Sequence, residues 1–139
     1  MFMKVLTATD GSEHSMKAVR RALELAEKEG AEITLMSVAY FSKSDFDDMP
    51  PNIQEKLEKQ AKDALNSAKA LFEGKGIGVK VILETGVVPA NNIIKRAKDD
   101  KFDLILMGRT GISGVERAMT GSTAAKVVAH APCSVSIIQ

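Results

Sequence analysis

Residues 103–130 read DLILMGRTGISGVERAMTGSTAAKVVAH, and this stretch decides the fold. Asp103–Met107 (DLILM) is apolar without alternation, as expected of a strand covered on both faces. Gly108–Thr120 is rich in Gly, Thr and Ser and reads as a loop. Gly121–His130 reads as a helix, and Cys133–Ile138 as one more strand. Strand, loop, helix and strand in that order form the repeating unit of a parallel sheet, with right-handed crossovers between its strands.

The same order runs toward the N-terminus. Met3–Thr9 (MKVLTAT) is β-rich and stops at Asp10-Gly11-Ser12. Val19, Ala22, Leu23 and Ala26 follow i, i+3, i+4, i+7 spacing and predict a helix, with Ser12 as its N-cap and Gly30 at its C-terminus. Glu32–Ala39 predicts a second strand. Tyr40–Asn52 is a polar, acidic connection ending in Pro50-Pro51. Ile53–Phe72 predicts a long helix whose apolar stripe runs through Leu57, Ala61, Ala64, Leu65, Ala68 and Leu71. Val79–Glu84 predicts a third strand, and Gly86–Ala90 a turn with Pro89 suited to a first helical turn. Asn92–Asp99 completes the pattern as a short helix. The expectation is one domain over residues 1–139, a three-layer α/β sandwich with a five-stranded, mainly parallel sheet and helices on both faces. In the closing strand Ser134 and Ser136 alternate with Val135 and Ile137. Alternation points to a less covered edge, which pairing with a second copy would manage.

Composition narrows the functions. The 139 residues are 45% hydrophobic but only 4% aromatic, with no Trp and one Tyr, so the core is aliphatic. Aromatic platforms for single-stranded nucleic acid are lacking. Lys and Arg number 19 against 18 Asp and Glu, and a net charge of +1 is no footprint for DNA or an anionic membrane. The lone Cys133 excludes an internal disulfide framework and a cysteine-rich zinc site. Asp45, Asp47 and Asp48 lack the Gly and terminal Glu of a calcium loop. No apolar stretch approaches membrane-spanning length, and Asp10-Gly11 arrives too early for a signal-peptide core. A cytoplasmic protein without membrane or nucleic-acid partners is expected.

In an open parallel sheet, ligands bind beyond the carboxyl ends of the strands, where the strand order reverses. The residues to watch follow each strand: Asp10, Gly11 and Ser12; Val38 and Ala39; Gly86; and Gly108 onward. The strongest signal is Gly108-Arg109-Thr110-Gly111, nine residues, then Gly121-Ser122-Thr123. Glycines let backbone N–H groups approach a ligand closely, and consecutive N–H groups form an anion nest. Ser122 and Thr123 fall in the first turn of a helix, whose open N–H groups and dipole attract phosphate. Arg109 adds a charge. An ordinary turn followed by a capped helix would look the same, so spacing alone leaves both readings open. Neither the G-x-x-x-x-G-K-[ST] phosphate loop nor the dinucleotide G-x-G-x-x-G occurs.

Gly108-x-x-Gly111-(nine residues)-Gly121-Ser122 resembles the nucleotide signature of the universal stress protein family. The likeness extends to Thr9-Asp10-Gly11-Ser12, Ser37-Val38, Glu84-Thr85-Gly86 with Pro89-Ala90, Asp103-Leu104-Ile105 before Met107-Gly108, and Ala131-Pro132-Cys133. The resemblance implies a five-stranded α/β sandwich, a homodimer joined through the last strand, and binding of ATP or a related adenine nucleotide such as ADP or AMP. It places Thr9 and Asp10 by the ribose and adenine, and the Val38 backbone at the adenine edge. Met107, Gly108, Arg109, Gly111, Gly121, Ser122 and Thr123 would hold the ribose and phosphates, with Mg²⁺ or Mn²⁺ accompanying them. Ser37 and Ser134 depart from the family pattern, which often has His and Pro at those places.

Asp10 has two readings, a ribose or metal-phosphate contact and an Asx-turn residue starting a helix. A response-regulator receiver is excluded: Glu84-Thr85-Gly86 follows the third strand where it needs an Asp, and no Lys follows the fifth. His14 and His130 lie on separate helices with no nucleophile indicated, and Cys133 reads as a small apolar residue. No general base or phosphate-loop lysine is evident, so the expectation is a dimeric regulatory binding protein rather than an enzyme. A nucleotide-free interaction module and a slow ATPase are the alternatives.

Overall fold

The β-rich segments form strands and the amphipathic ones helices in a computed structural model that describes residues 2–40, 51–109 and 122–139. In chain order these are β1 (Lys4–Ala8), α1 (Glu13–Glu29), β2 (Glu32–Tyr40), α2 (Pro51–Glu73), β3 (Lys80–Gly86), α3 (Pro89–Asp99), β4 (Leu104–Gly108), α4 (Ser122–His130) and β5 (Ser134–Ile138). Helix α1 is bounded as its sequence predicts. Ser12 is extended, and its Oγ accepts the Ser15 N–H at 3.3 Å. Gly30 closes the helix in the left-handed region at φ 68°. Three boundaries differ from the sequence reading by more than one residue. Helix α2 begins at Pro51, and α3 begins at Pro89, because proline's fixed φ suits a first helical turn. Strand β3 continues to Gly86, which pairs with Tyr40, so only Val87 and Val88 remain as the turn.

The sheet order is β3-β2-β1-β4-β5, and every neighbouring pair is parallel. The chain steps outward from β1 through β2 to β3, then crosses back to place β4 on the other side of β1. Strand alternation divides the core into two layers. Val5 and Leu106 face α1 and α2, together with Val19, Leu35 and Phe72. Leu6 and Ile105 face α3 and α4, together with Met36, Ile93 and Val127. Full burial of each such side chain is worth about 1.5–3 kcal/mol, so this aliphatic packing carries the fold.

Both edges are less covered. Val81 and Leu83 of β3 remain more than two-fifths exposed. On β5 no residue is fully buried, as the serine alternation predicts for an edge.

Candidate functional site

Strands β1 and β4 are neighbours, yet their chains leave toward opposite faces of the sheet: β1 runs into α1, and β4 leads toward α4. Their carboxyl ends flank a crevice at the point where strand order reverses.

A chain of hydroxyl and amide bonds builds the β1 side. Thr9 is buried, and its N–H reaches the Met36 carbonyl at 2.9 Å. The Ser15 hydroxyl donates to the Ser12 carbonyl at 3.0 Å. The 2.9 Å contact between Thr9 Oγ1 and Ser15 Oγ therefore takes its proton from Thr9. Thr9 Oγ1 in turn accepts the Gly11 N–H at 3.1 Å. Asp10 Oδ1 accepts the Ser12 N–H at 2.9 Å, which is an Asx turn leading into the capped start of α1. Gly11 sits at φ 82°, a left-handed backbone that favours glycine, and a Cβ there would make a tight 3.2 Å contact with the Ala64 Cβ on α2.

The β4 side is shaped by close approach. A Cβ on Gly108 would overlap the His14 carbonyl and lie 2.7 Å from the Ser15 nitrogen. The first turn of α1 thus rests directly on the end of β4, and Gly108 is there because nothing larger fits. The sequence reading assigned Gly108 to ligand approach and missed this contact, which depends on a residue far away in the chain. Arg109 is half-buried, and its N–H extends the β4–β5 ladder to the Ile138 carbonyl at 3.2 Å. Met107 is 6% exposed and packs into the layer under α3 and α4, so its side chain belongs to the core.

Val38 is half-buried on that same layer. Backbone groups two residues apart on a strand face the same side, and Met36 presents its carbonyl to Thr9. The Val38 backbone therefore faces the crevice beside β1, where the chain turns away at Asp10. Ser122 is exposed, Thr123 half-buried, and both begin α4. A crossover helix runs opposite to its strands, which puts their turn at the carboxyl end of the sheet. The fold thus gathers Thr9, Asp10, Val38, Gly108 and Arg109 on three adjacent strand ends, with Ser122 and Thr123 at the same end. Gly111, Gly121 and most of the Tyr40–Asn52 connection lie outside the described residues.

Two buried polar atoms near this end have no hydrogen-bond partner among the described residues, Thr7 Oγ1 and His14 Nδ1. Among the described residues no three His, Cys, Asp or Glu side chains converge as a metal site, and no helix is long and apolar enough to cross a membrane.

The family model for universal stress proteins matches residues 1–139. The chain belongs to this family. Two universal stress proteins match it over its full length. One from Methanocaldococcus jannaschii is 33% identical, with 83% of that protein covered. One from Bacillus subtilis is 32% identical and covered in full. Among solved structures, a universal stress protein from Lactobacillus plantarum superposes with a TM-score of 0.85 at 26% identity, covering 99% of this chain and 98% of that one. More distant universal stress proteins share the fold: one solved with cAMP, one from Arabidopsis thaliana with AMP, and one from Archaeoglobus fulgidus with dAMP. Their TM-scores are 0.71, 0.73 and 0.69, at 21%, 22% and 20% identity, and each covers at least 98% of this chain and 90% of the other.

Proposed function

We propose that the chain binds ATP or a related adenine nucleotide in the crevice between β1 and β4, and works as a dimeric regulatory module rather than a catalyst. One observation carries this reading. The strand order reverses between β1 and β4, and at that point lie the Thr9–Ser12 turn, the Val38 backbone and the Gly108-Arg109 start of the glycine loop. Such a crevice is where open α/β sheets hold nucleotides. The adenine nucleotides in solved proteins of this fold agree with it. In this reading the Val38 backbone meets the adenine edge and Thr9 and Asp10 the ribose side. Met107, through its backbone, Gly108, Arg109, Gly111, Gly121, Ser122 and Thr123 hold the ribose and phosphates. With no converging metal ligands among the described residues, Mg²⁺ or Mn²⁺ would enter on the phosphates. The edge position of β5 supports pairing with a second copy.

A second reading, a nucleotide-free dimeric interaction module, is favoured by Gly108, whose packing against α1 accounts for a glycine with no ligand. Calorimetric titration of ligand-stripped protein with ATP, with and without Mg²⁺, separates the two. The expected result is saturable heat at about one site per chain. No heat and no thermal shift would establish the second reading. Asp10→Asn sharpens the assignment, because an amide oxygen still accepts the Ser12 N–H while the charge is lost. Stability should hold while ATP affinity falls about tenfold. Unchanged affinity would confine Asp10 to the turn. Gly111→Val should weaken ATP binding in a folded variant.

A further inference from the structure

Strand β3 ends the sheet on one side. The direction of its backbone groups follows from the register. The Met36 carbonyl turns toward β1, where it accepts the Thr9 N–H, so the groups of Leu35, Ser37 and Ala39 turn toward β3. Ser37 pairs with Leu83, and in a parallel ladder it therefore bonds to Ile82 and Glu84. The N–H and C=O groups of Val81, Leu83 and Thr85 are left pointing away from the sheet. An independent contact agrees: the Thr85 carbonyl accepts the Asn92 side-chain amide at 3.2 Å. Asn92 closes the run at Thr85, and Val81 and Leu83 remain as an edge that no backbone group pairs among the described residues. Their side chains lie on the α2 face, 42% and 43% exposed, because α2 packs chiefly over β2.

This edge is complementary to itself. Lys80-Val81-Ile82-Leu83-Glu84, laid antiparallel to a second copy about Ile82, sets Val81 opposite Leu83 and Lys80 opposite Glu84, each twice. In that register Val81 and Leu83 meet as hydrogen-bonded pairs, and Ile82 meets its counterpart as a non-hydrogen-bonded pair, which is what the outward direction of Val81 and Leu83 requires. The apolar pairs fall on the α2 face and the charged pairs on the α3 face, with Ile82. Glu84 is already held in place: Oε1 accepts Asn92 Nδ2 at 2.8 Å, and Oε2 accepts Arg96 Nη2 at 2.6 Å. Arg96 also binds Asp100, so one guanidinium serves two carboxylates and Glu84 can accept from a further cation. Lys80 is exposed and forms no ion pair among the described residues. A lysine on an edge ordinarily resists pairing, but here Glu84 of the other copy answers it. The two β2 strands would stand three strand spacings apart, roughly 14 Å. Helices packed over them need only about 8–10 Å, so both α2 helices fit, with Val81 and Leu83 of each copy in the trough between them.

We propose that the β3 edge is a self-association surface, on which a second copy of this chain adds its own β3 antiparallel about Ile82. The contact is separate from the β5 edge and from the nucleotide crevice, and it depends on neither.

Cross-linking of the whole chain, carrying Cys133→Ser, reads this register directly. At the two-fold axis a non-hydrogen-bonded pair has Cα atoms about 4.5 Å apart, within disulfide reach. Ile82→Cys should therefore give a reducible covalent dimer under copper–phenanthroline oxidation. Val81→Cys, although more exposed, should give at least tenfold less, because the two copies of that position are diagonal neighbours about 7–8 Å apart. Adding Lys80→Glu turns both ion pairs into repulsions and should cut the Ile82→Cys yield about tenfold. Lys80→Glu alone changes an exposed side chain and keeps the fold. It should weaken the last step of concentration-dependent association in sedimentation about tenfold. No dimer from folded Ile82→Cys, an equal yield from Val81→Cys, or association indifferent to Lys80→Glu would each overturn the proposal.

Discussion

The two ends of the sheet are built by different means. The carboxyl end is a backbone construction: Gly108 lets the α1 turn rest on β4, and Gly11 lets the β1 turn pass Ala64. Short hydroxyls and Asp10 Oδ1 then tie residues 9–15 together. The amino end and the flank of α3 leading to it are a side-chain construction. Long charged groups reach across elements there, as in Arg96 to Glu84 and Lys4 to the Asp100 carbonyl. The difference teaches where each end is vulnerable. A backbone contact tolerates no added atom, whereas a charged side chain is half-solvated and can rearrange.

The sharpest break is Gly108→Val. Its side chain must displace the first turn of α1, a backbone obstacle that cannot rotate away. Chemical denaturation should show a loss of about 3 kcal/mol. A near-neutral result would mean the α1 turn and β4 are not locked together. Arg96→Ala strikes the other construction. It removes the bonds to Glu84 and Asp100, with the guanidinium one-third exposed, and should cost only about 1 kcal/mol by the same measurement. A larger loss than for Gly108→Val would reverse the comparison.

The smallest effect concerns Cys133, just before β5. Burial first, and the Asp103 carboxylate second, raise its thiol above the ordinary value. The native state thus favours the protonated thiol. That contribution is complete below the ordinary thiol value of about 8.5 and fades as pH rises through the higher native value. Iodoacetamide should therefore alkylate native protein at pH 8 more slowly than the unfolded chain. Equal rates would show that the start of β5 gives the thiol no shelter.

Much of the architecture is legible because hydrophobic periodicity is a local property. The unbroken Asp103–Met107 run and the i, i+3, i+4 stripe of Val19, Ala22, Leu23 and Ala26 each announce an element from within a few residues. The start of α1 is equally local, since Ser12 and Ser15 are one turn apart. The site was legible in part. Asp10, Val38 and Gly108-Arg109 do come to neighbouring strand ends, because residues after parallel strands collect on one side of a sheet. Gly108 was legible as a glycine but not for its reason, and Met107 proved to point into the core. The Glu84–Arg96 pair, 12 residues apart and on different elements, has no spacing signature. Lys4 and the Asp100 carbonyl are separated by 96 residues.

By itself, then, the sequence determined which segments are strands and helices, the aliphatic character of the core, and the family. Each of these depends on patterns repeated along the chain and is therefore redundant. Tertiary structure alone decided the strand order, the pressing of α1 onto Gly108, the hydroxyl network around Thr9 and Ser15, and the reach of Lys4 to the Asp100 carbonyl. Those depend on groups brought together by packing two faces of one sheet, and a contact between distant residues leaves no period in the sequence to read.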